Sequence, residues 1–254
     1  MSLPYKMKGK GMAVLLLHAF PLSSRMWAGE MEALSDSFTV IAPDFPGFGK
    51  SPRQKTPSIA DMATAAGELL DQLKIKEAFV GGLSMGGYVT FEFLRQFPER
   101  VKGLGIFSTR AAADKSEVRE KRFKTIESIQ KEGFAPFAKM IQEKLLGETT
   151  RKTNPSVVKE IKEMVESADS EGVKDATLAM ANRSDLDYLL PKIHCPALII
   201  AGDEDPFVPA EEAKTIHSKI QGSALHILPK TGHMVNLEQP AAFQKILKDF
   251  LKKI

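Results

Sequence analysis

Apolar residues follow two different rhythms along this chain. Short continuous runs read as buried strands: Ala13–Leu17, Phe38–Ala42, Ala78–Gly82, Val101–Phe107, Ala197–Ala201 and Ala224–Leu228. Between them lie stretches with helical spacing. Trp27–Leu34 is one, with Ser23 or Ser24 as the cap. A second runs from Ile59 to Leu73 behind Ser58, with Ile59, Met62, Ala66, Leu69, Leu70 and Leu73 along one stripe. Gly86–Phe97 is a third and stops before Pro98, and Ala241–Lys253 closes the chain. Strands that are apolar throughout and alternate with helices predict a mostly parallel sheet flanked by helices on both faces, an α/β fold.

The rhythm changes in the middle. Residues 114–190 contain no strand pattern. They are charged and helical in period, as in Val157, Val158, Ile161, Met164 and Val165, and Gly133, Gly147, Pro155 and Gly172 divide them into three or four helices. The expected organisation is one α/β core, residues 1–113 and 191–254, interrupted by an all-helical cap at 114–190. No internal repeat or low-complexity segment is present.

Composition narrows the function. The 254 residues include 35 basic and 32 acidic ones, a net charge of +3 spread along the chain, so no basic stripe points to nucleic acid. The single cysteine, Cys195, excludes an intrachain disulfide and fits a reducing compartment. The apolar run Met12–Leu17 is too short for a signal core, and no segment reaches about 18 apolar residues. The reading is a soluble, cytoplasmic protein, monomeric or homodimeric, without a membrane or nucleic-acid partner. No metal-ligand cluster or phosphate loop appears, so no cofactor is expected.

The chemistry concentrates at Gly82-Leu83-Ser84-Met85-Gly86-Gly87, between a predicted strand and a predicted helix. A serine at such a turn projects its hydroxyl above the sheet, and small neighbours let the turn close. The helix N-terminus beneath it favours developing negative charge. A nucleophilic serine needs a base. Of five histidines, His233 alone follows the last strand, in the loop before the last helix. His217 falls in a helical pattern and His226 in a strand. The acid belongs after the strand 197–201, in Gly202-Asp203-Glu204-Asp205-Pro206. Asp205 lies far enough along to turn back to the histidine, with Asp203 as its competitor. The backbone N–H groups of Phe20 and Met85 are the candidate oxyanion donors, with His18 holding the first loop.

Taken together, Leu17-His18-Ala19-Phe20-Pro21, Trp27, Pro43–Ser51, the Ser84 segment, Gly202-x-x-Asp205-x-x-x-Pro209 and Gly232-His233-x-x-x-x-Glu238-x-Pro240 resemble the α/β-hydrolase superfamily. The likeness is closest to its serine esterase and enol-lactonase branch. It implies a Ser84–Asp205–His233 triad, favours Asp205 over Asp203, and implies Phe20 and Met85 in the oxyanion hole. Two departures stand out. Ala19 occupies a position where glycine is usual, and the N-terminus looks too short for the two extra antiparallel strands of relatives, which leaves a sheet edge open to pairing between chains. A serine nucleophile argues against relatives that use aspartate, the haloalkane dehalogenases and epoxide hydrolases.

Trp27, Arg110, Phe137 and Met140 are the candidate substrate contacts. Arg110 and Arg183 would suit a substrate carboxylate or a structural ion pair. The expected activity is hydrolysis of a small to medium, mainly apolar ester, thioester or lactone through an acyl-enzyme. Carbon–carbon bond hydrolysis, cofactor-free perhydrolysis, and a small-molecule sensor that signals to a protein partner are alternatives with the same residues.

Overall fold

The computed structural model describes residues 3–54 and 57–254. Its apolar runs form strands β2 (Met12–Leu17), β3 (Phe38–Pro43), β4 (Ala78–Leu83), β5 (Val101–Phe107), β6 (Ala197–Gly202) and β7 (Ala224–Leu228), joined as parallel neighbours in the order β3-β2-β4-β5-β6-β7. All six residues of β4 and of β6 are buried, as a sheet covered on both faces requires. Helices α1 (Ala28–Leu34), α2 (Ile59–Gln72), α3 (Met85–Gln96), α9 (Ala210–Lys219), α10 (Val235–Glu238) and α11 (Pro240–Leu251) supply that cover. Ser58 caps α2 in a capping box with Asp61, and Ser23 caps a short 3-10 turn, Ser24–Trp27, ahead of α1.

The N-terminal edge is longer than the sequence suggests. Strand β1 (Tyr5–Lys8) pairs antiparallel with β3, Tyr5 opposite Pro43 and Lys8 opposite Val40, so β3 is not the open edge. Its four residues are all exposed. A strand with no buried face carries no apolar alternation, which is why pattern reading passes over it.

Between β5 and β6 no strand forms, and the chain folds into five α-helices, α4 (Ser116–Glu132), α5 (Phe134–Lys144), α6 (Glu148–Thr153), α7 (Pro155–Glu166) and α8 (Ser170–Ala181), followed by a 3-10 turn, Asp187–Lys192. That is five helices where three or four were expected. Gly172 does not break the chain but sits in the first turn of α8, capped by Asp169. Its Cα packs so closely on Gly47 that an added Cβ would lie 2.6 Å from the Gly47 carbonyl oxygen. None of the described helices is long and apolar enough to cross a membrane.

One polar cluster sits inside the core, where α1 meets α10 and α11. Glu30 is 1 % exposed and accepts hydrogen bonds from the Asn236 and Gln244 side-chain amides at 3.3 Å each. Asn236 also donates to the Met26 carbonyl at 2.8 Å. Burial pushes the Glu30 carboxyl up from 4.5 to about 7, against the two amide hydrogen bonds that favour its charged form. Below pH 4.5 both folded and unfolded chains hold this proton. Between 4.5 and 7 only the folded chain does, so stability falls with rising pH, by up to about 3 kcal/mol, and stays low above 7. Glu30→Gln is therefore expected to raise unfolding free energy at pH 8 by about 1–3 kcal/mol and to change it little at pH 4, read by urea melts. Equal destabilisation at both pH values would contradict this.

Candidate functional site

The ends of β2, β4, β6 and β7 bring together the loops that carry the expected site residues. The sheet order turns between β2 and β4, and open α/β sheets bind ligands at the strand C-termini beside such a turning point.

Ser84 sits between β4 and α3 with φ 56° and ψ −113°, a conformation that costs a non-glycine residue about 1–3 kcal/mol. The surroundings hold it there. Its N–H donates to the Phe107 carbonyl at 3.0 Å. Its own carbonyl accepts from Gly87 N–H at 2.9 Å, Tyr88 N–H at 3.2 Å and the Thr109 hydroxyl at 2.8 Å. The turn closes only because its flanks lack side chains. A Cβ on Gly82 would lie 2.1 Å from the Gly86 carbonyl oxygen, and one on Gly86 would lie 2.1 Å from that of Leu17. The second contact also seats the start of α3 against the end of β2, beside the loop of Phe20. Met85 is the first residue of α3, so its N–H has no partner within the helix.

His18 holds that loop. It is fully buried, its Nε2 accepts from Phe45 N–H at 3.0 Å, and Nδ1 donates to the Ala19 carbonyl at 3.0 Å. Burial lowers its pKa, in keeping with a neutral ring that accepts at one nitrogen and donates at the other. Asp44 ties the neighbouring loop by accepting from Ser24 N–H at 2.8 Å and Lys50 N–H at 2.9 Å.

His233 follows β7. Its Nδ1 donates to Asp205 Oδ2 at 2.6 Å, with both side chains at most 3 % exposed. The other carboxylate oxygen, Oδ1, accepts from Phe207 N–H at 2.8 Å and Val208 N–H at 3.0 Å, which fixes the acid's orientation. A donating Nδ1 leaves Nε2 as the ring's proton acceptor. The other acids of this loop have different partners. Asp203 accepts from Thr231 N–H at 3.2 Å, and Glu204 accepts from Thr149 N–H at 2.8 Å.

Glu238 had no role in the sequence reading. It is buried and accepts three backbone bonds: from Gly147 and Gly232 at 2.9 Å each through Oε2, and from Met234 at 3.0 Å through Oε1. Both chain neighbours of His233 therefore hang on one carboxylate, which also grips the α5–α6 junction. Its place in the Gly232-His233-x-x-x-x-Glu238 spacing was the available signal.

Ser84 and His233 open onto one cavity of about 600 Å³, within the range of small-molecule sites. Phe20, Phe137 and Met140 line it, with Ile141 and Leu145. Arg110 lines it too, its Nη2 donating to the Phe207 carbonyl at 2.7 Å. Arg183 does not reach it. It is paired with Asp114 at 2.8 Å and stacked 4.0 Å over the Tyr88 ring, a structural role. Trp27 is the correction among the candidate contacts. It is fully buried against Phe107 and Phe243, with ring centroids at 6.3 and 6.1 Å, and takes no part in the cavity wall. The 3-10 turn that carries it aims the ring into the core, a direction that sequence proximity to the Phe20 loop does not reveal.

Comparison with known proteins identifies the fold family. The α/β-hydrolase fold family matches residues 12–240. A thermophilic esterase from Thermogutta terrifontis is 37 % identical, superposes with a TM-score of 0.95, and is matched over 99 % of this chain and 93 % of that one. The enol-lactonase from Burkholderia xenovorans is 26 % identical with a TM-score of 0.90, over 98 % and 96 %. The 3-oxoadipate enol-lactonase 2 of Acinetobacter baylyi is 26 % identical over 242 residues, 95 % of this chain and 89 % of its own. With the family matched across nearly its whole length and the sheet order that goes with it, this chain belongs to the α/β-hydrolase fold family.

Proposed function

We propose that this protein hydrolyses small to medium carboxylic esters, thioesters or lactones through an acyl-enzyme on Ser84. The observation that carries the reading is the buried 2.6 Å His233–Asp205 pair facing the same cavity as a serine held at positive φ. The names of the relatives, esterases and enol-lactonases, point the same way.

In this reading Ser84 Oγ attacks the carbonyl carbon while His233 Nε2 takes its proton. The tetrahedral oxyanion rests on the N–H groups of Phe20 and Met85, at the positive end of α3. Asp205 stabilises the imidazolium and fixes the ring's tautomer. His233 then protonates the leaving alcohol, thiol or enol, and activates water to release the acid. Residues 114–190 act as the cap of a core made of 1–113 and 191–254. Phe137 and Met140 supply its apolar wall, and Ala19, at the position where glycine is usual, is fully buried.

Steady-state hydrolysis of p-nitrophenyl esters from two to twelve acyl carbons tests this. A cavity of about 600 Å³ predicts a maximum kcat/KM at short to medium chains and a decline beyond them. Absence of turnover across the series would contradict the reading.

A further inference from the structure

The cavity that holds Ser84 has more positive charge than its own walls neutralise. Four cations line it, Arg110, Lys121, Arg122 and Lys144, against one carboxylate, Asp114. That carboxylate is already shared, by Arg122 Nε at 2.5 Å and Arg183 Nη1 at 2.8 Å. Burial alone would raise Asp114, but the Arg122 hydrogen bond and the two guanidinium charges outweigh it and hold the group below the usual range. Among the described residues no carboxylate pairs with Arg110, Lys121 or Lys144.

Arg110 is the informative one. Its Nη2 donates to the Phe207 carbonyl at 2.7 Å, and its buried Nε has no partner. Beyond that bond the guanidinium makes no other hydrogen bond among the described residues, so it stands at the cavity wall with donors to spare for a carboxylate. Arg110 also follows Thr109, whose hydroxyl binds the Ser84 carbonyl, and Phe207 packs its ring 5.2 Å from that of His233. Arg110 is thus tied to the Ser84 turn through its neighbour Thr109 and to the Asp205 loop through its own guanidinium. Lys121 and Lys144 are exposed on α4 and α5 at the same cavity.

We propose that the preferred substrate is an ester whose acyl half ends in a carboxylate, received by Arg110, with Lys121 and Lys144 drawing the anion in. This rests on the ester-hydrolase reading and names its substrate class. Phe137 and Ile141 then cover the aliphatic spacer between the two carbonyl groups. The step balances as ordinary hydrolysis. For monomethyl glutarate, Ser84 Oγ forms a bond to the ester carbon as the C–O bond to methoxide breaks. His233 passes the serine proton to the methanol that leaves. Water then cleaves the acyl-enzyme to glutarate, and a proton is released to solvent.

The test follows hydrolysis of monomethyl glutarate and of methyl 5-methylhexanoate, its uncharged isostere, in a pH-stat. The wild type is expected to favour the charged ester in kcat/KM by about tenfold or more, and Arg110→Gln to lower that ratio by about tenfold or more. Raising salt from about 20 to 500 mM is expected to cut kcat/KM severalfold for the charged ester only, and less in Lys121→Gln/Lys144→Gln. The wild-type salt series stands even where a variant fails to fold. Equal use of both esters, with a ratio that neither salt nor Arg110→Gln moves, overturns this proposal and leaves ester hydrolysis standing. No turnover of either ester overturns both.

Discussion

Ser84→Ala is expected to lower kcat for an activated ester by at least about 10³ while leaving the fold intact, because alanine adopts the same turn and deletes only the hydroxyl. His233→Ala is expected to cost a similar factor. The double variant should cost little more than either alone, since the two side chains act in one step and a serine without its base is no better than no serine. A product of two independent losses would mean that His233 acts elsewhere. On the proposed mechanism the residual activity of the variants measures the two oxyanion-hole amides, those of Phe20 and Met85, at roughly 10²–10³ each.

The second large effect is at Glu238. Glu238→Ala removes the acceptor of three buried N–H groups, those of Gly147, Gly232 and Met234. Each unsatisfied buried donor costs about 1–3 kcal/mol, so a stability loss of at least about 3 kcal/mol is expected in urea melts. Function should change in a distinctive way. His233 lies between two of the released amides, so the imidazole loses its fixed place over the cavity. A displacement of about 1 Å at a reacting group costs on the order of 10²-fold, so kcat should fall far more than KM rises. Glu238→Gln keeps one oxygen for the Gly147 and Gly232 amides and turns its NH2 toward Met234 N–H. It should fall between the wild type and alanine in both readouts. A variant that melts early but retains full kcat below its transition would assign Glu238 to stability alone.

Much of this was legible in the sequence because the physical demands are local. Strands buried on both faces must be continuously apolar, and β4 and β6 are. A serine turn that crosses a neighbouring strand needs small residues on both sides, and the contacts of Gly82 and Gly86 show how little room there is. The features that escaped are those that depend on direction or on partners distant in sequence. Strand β1 owes its place to pairing with β3 and has no buried face to announce it. Trp27 lies next to the right loop but points into the core. Lys121, Arg122 and Lys144 belong to helices whose charged positions read as a solvated face, and only the fold turns that face toward Ser84. The expectation of a mainly apolar substrate rested on the apolar residues of the helical cap, Phe137 and Met140 among them, and did not weigh those three cations.

The central claim is that Ser84 carries the acyl group, and covalent trapping tests it most directly. The protein would be incubated with a p-nitrophenyl alkylphosphonate, which a serine activated by histidine attacks to form a stable adduct, and then digested and mapped by mass spectrometry. One adduct per chain, on the peptide that contains Ser84, with activity lost in proportion and no adduct in Ser84→Ala, is the predicted result. Stoichiometric inactivation with the label on another residue, or ester turnover that survives complete labelling of Ser84, would contradict the account.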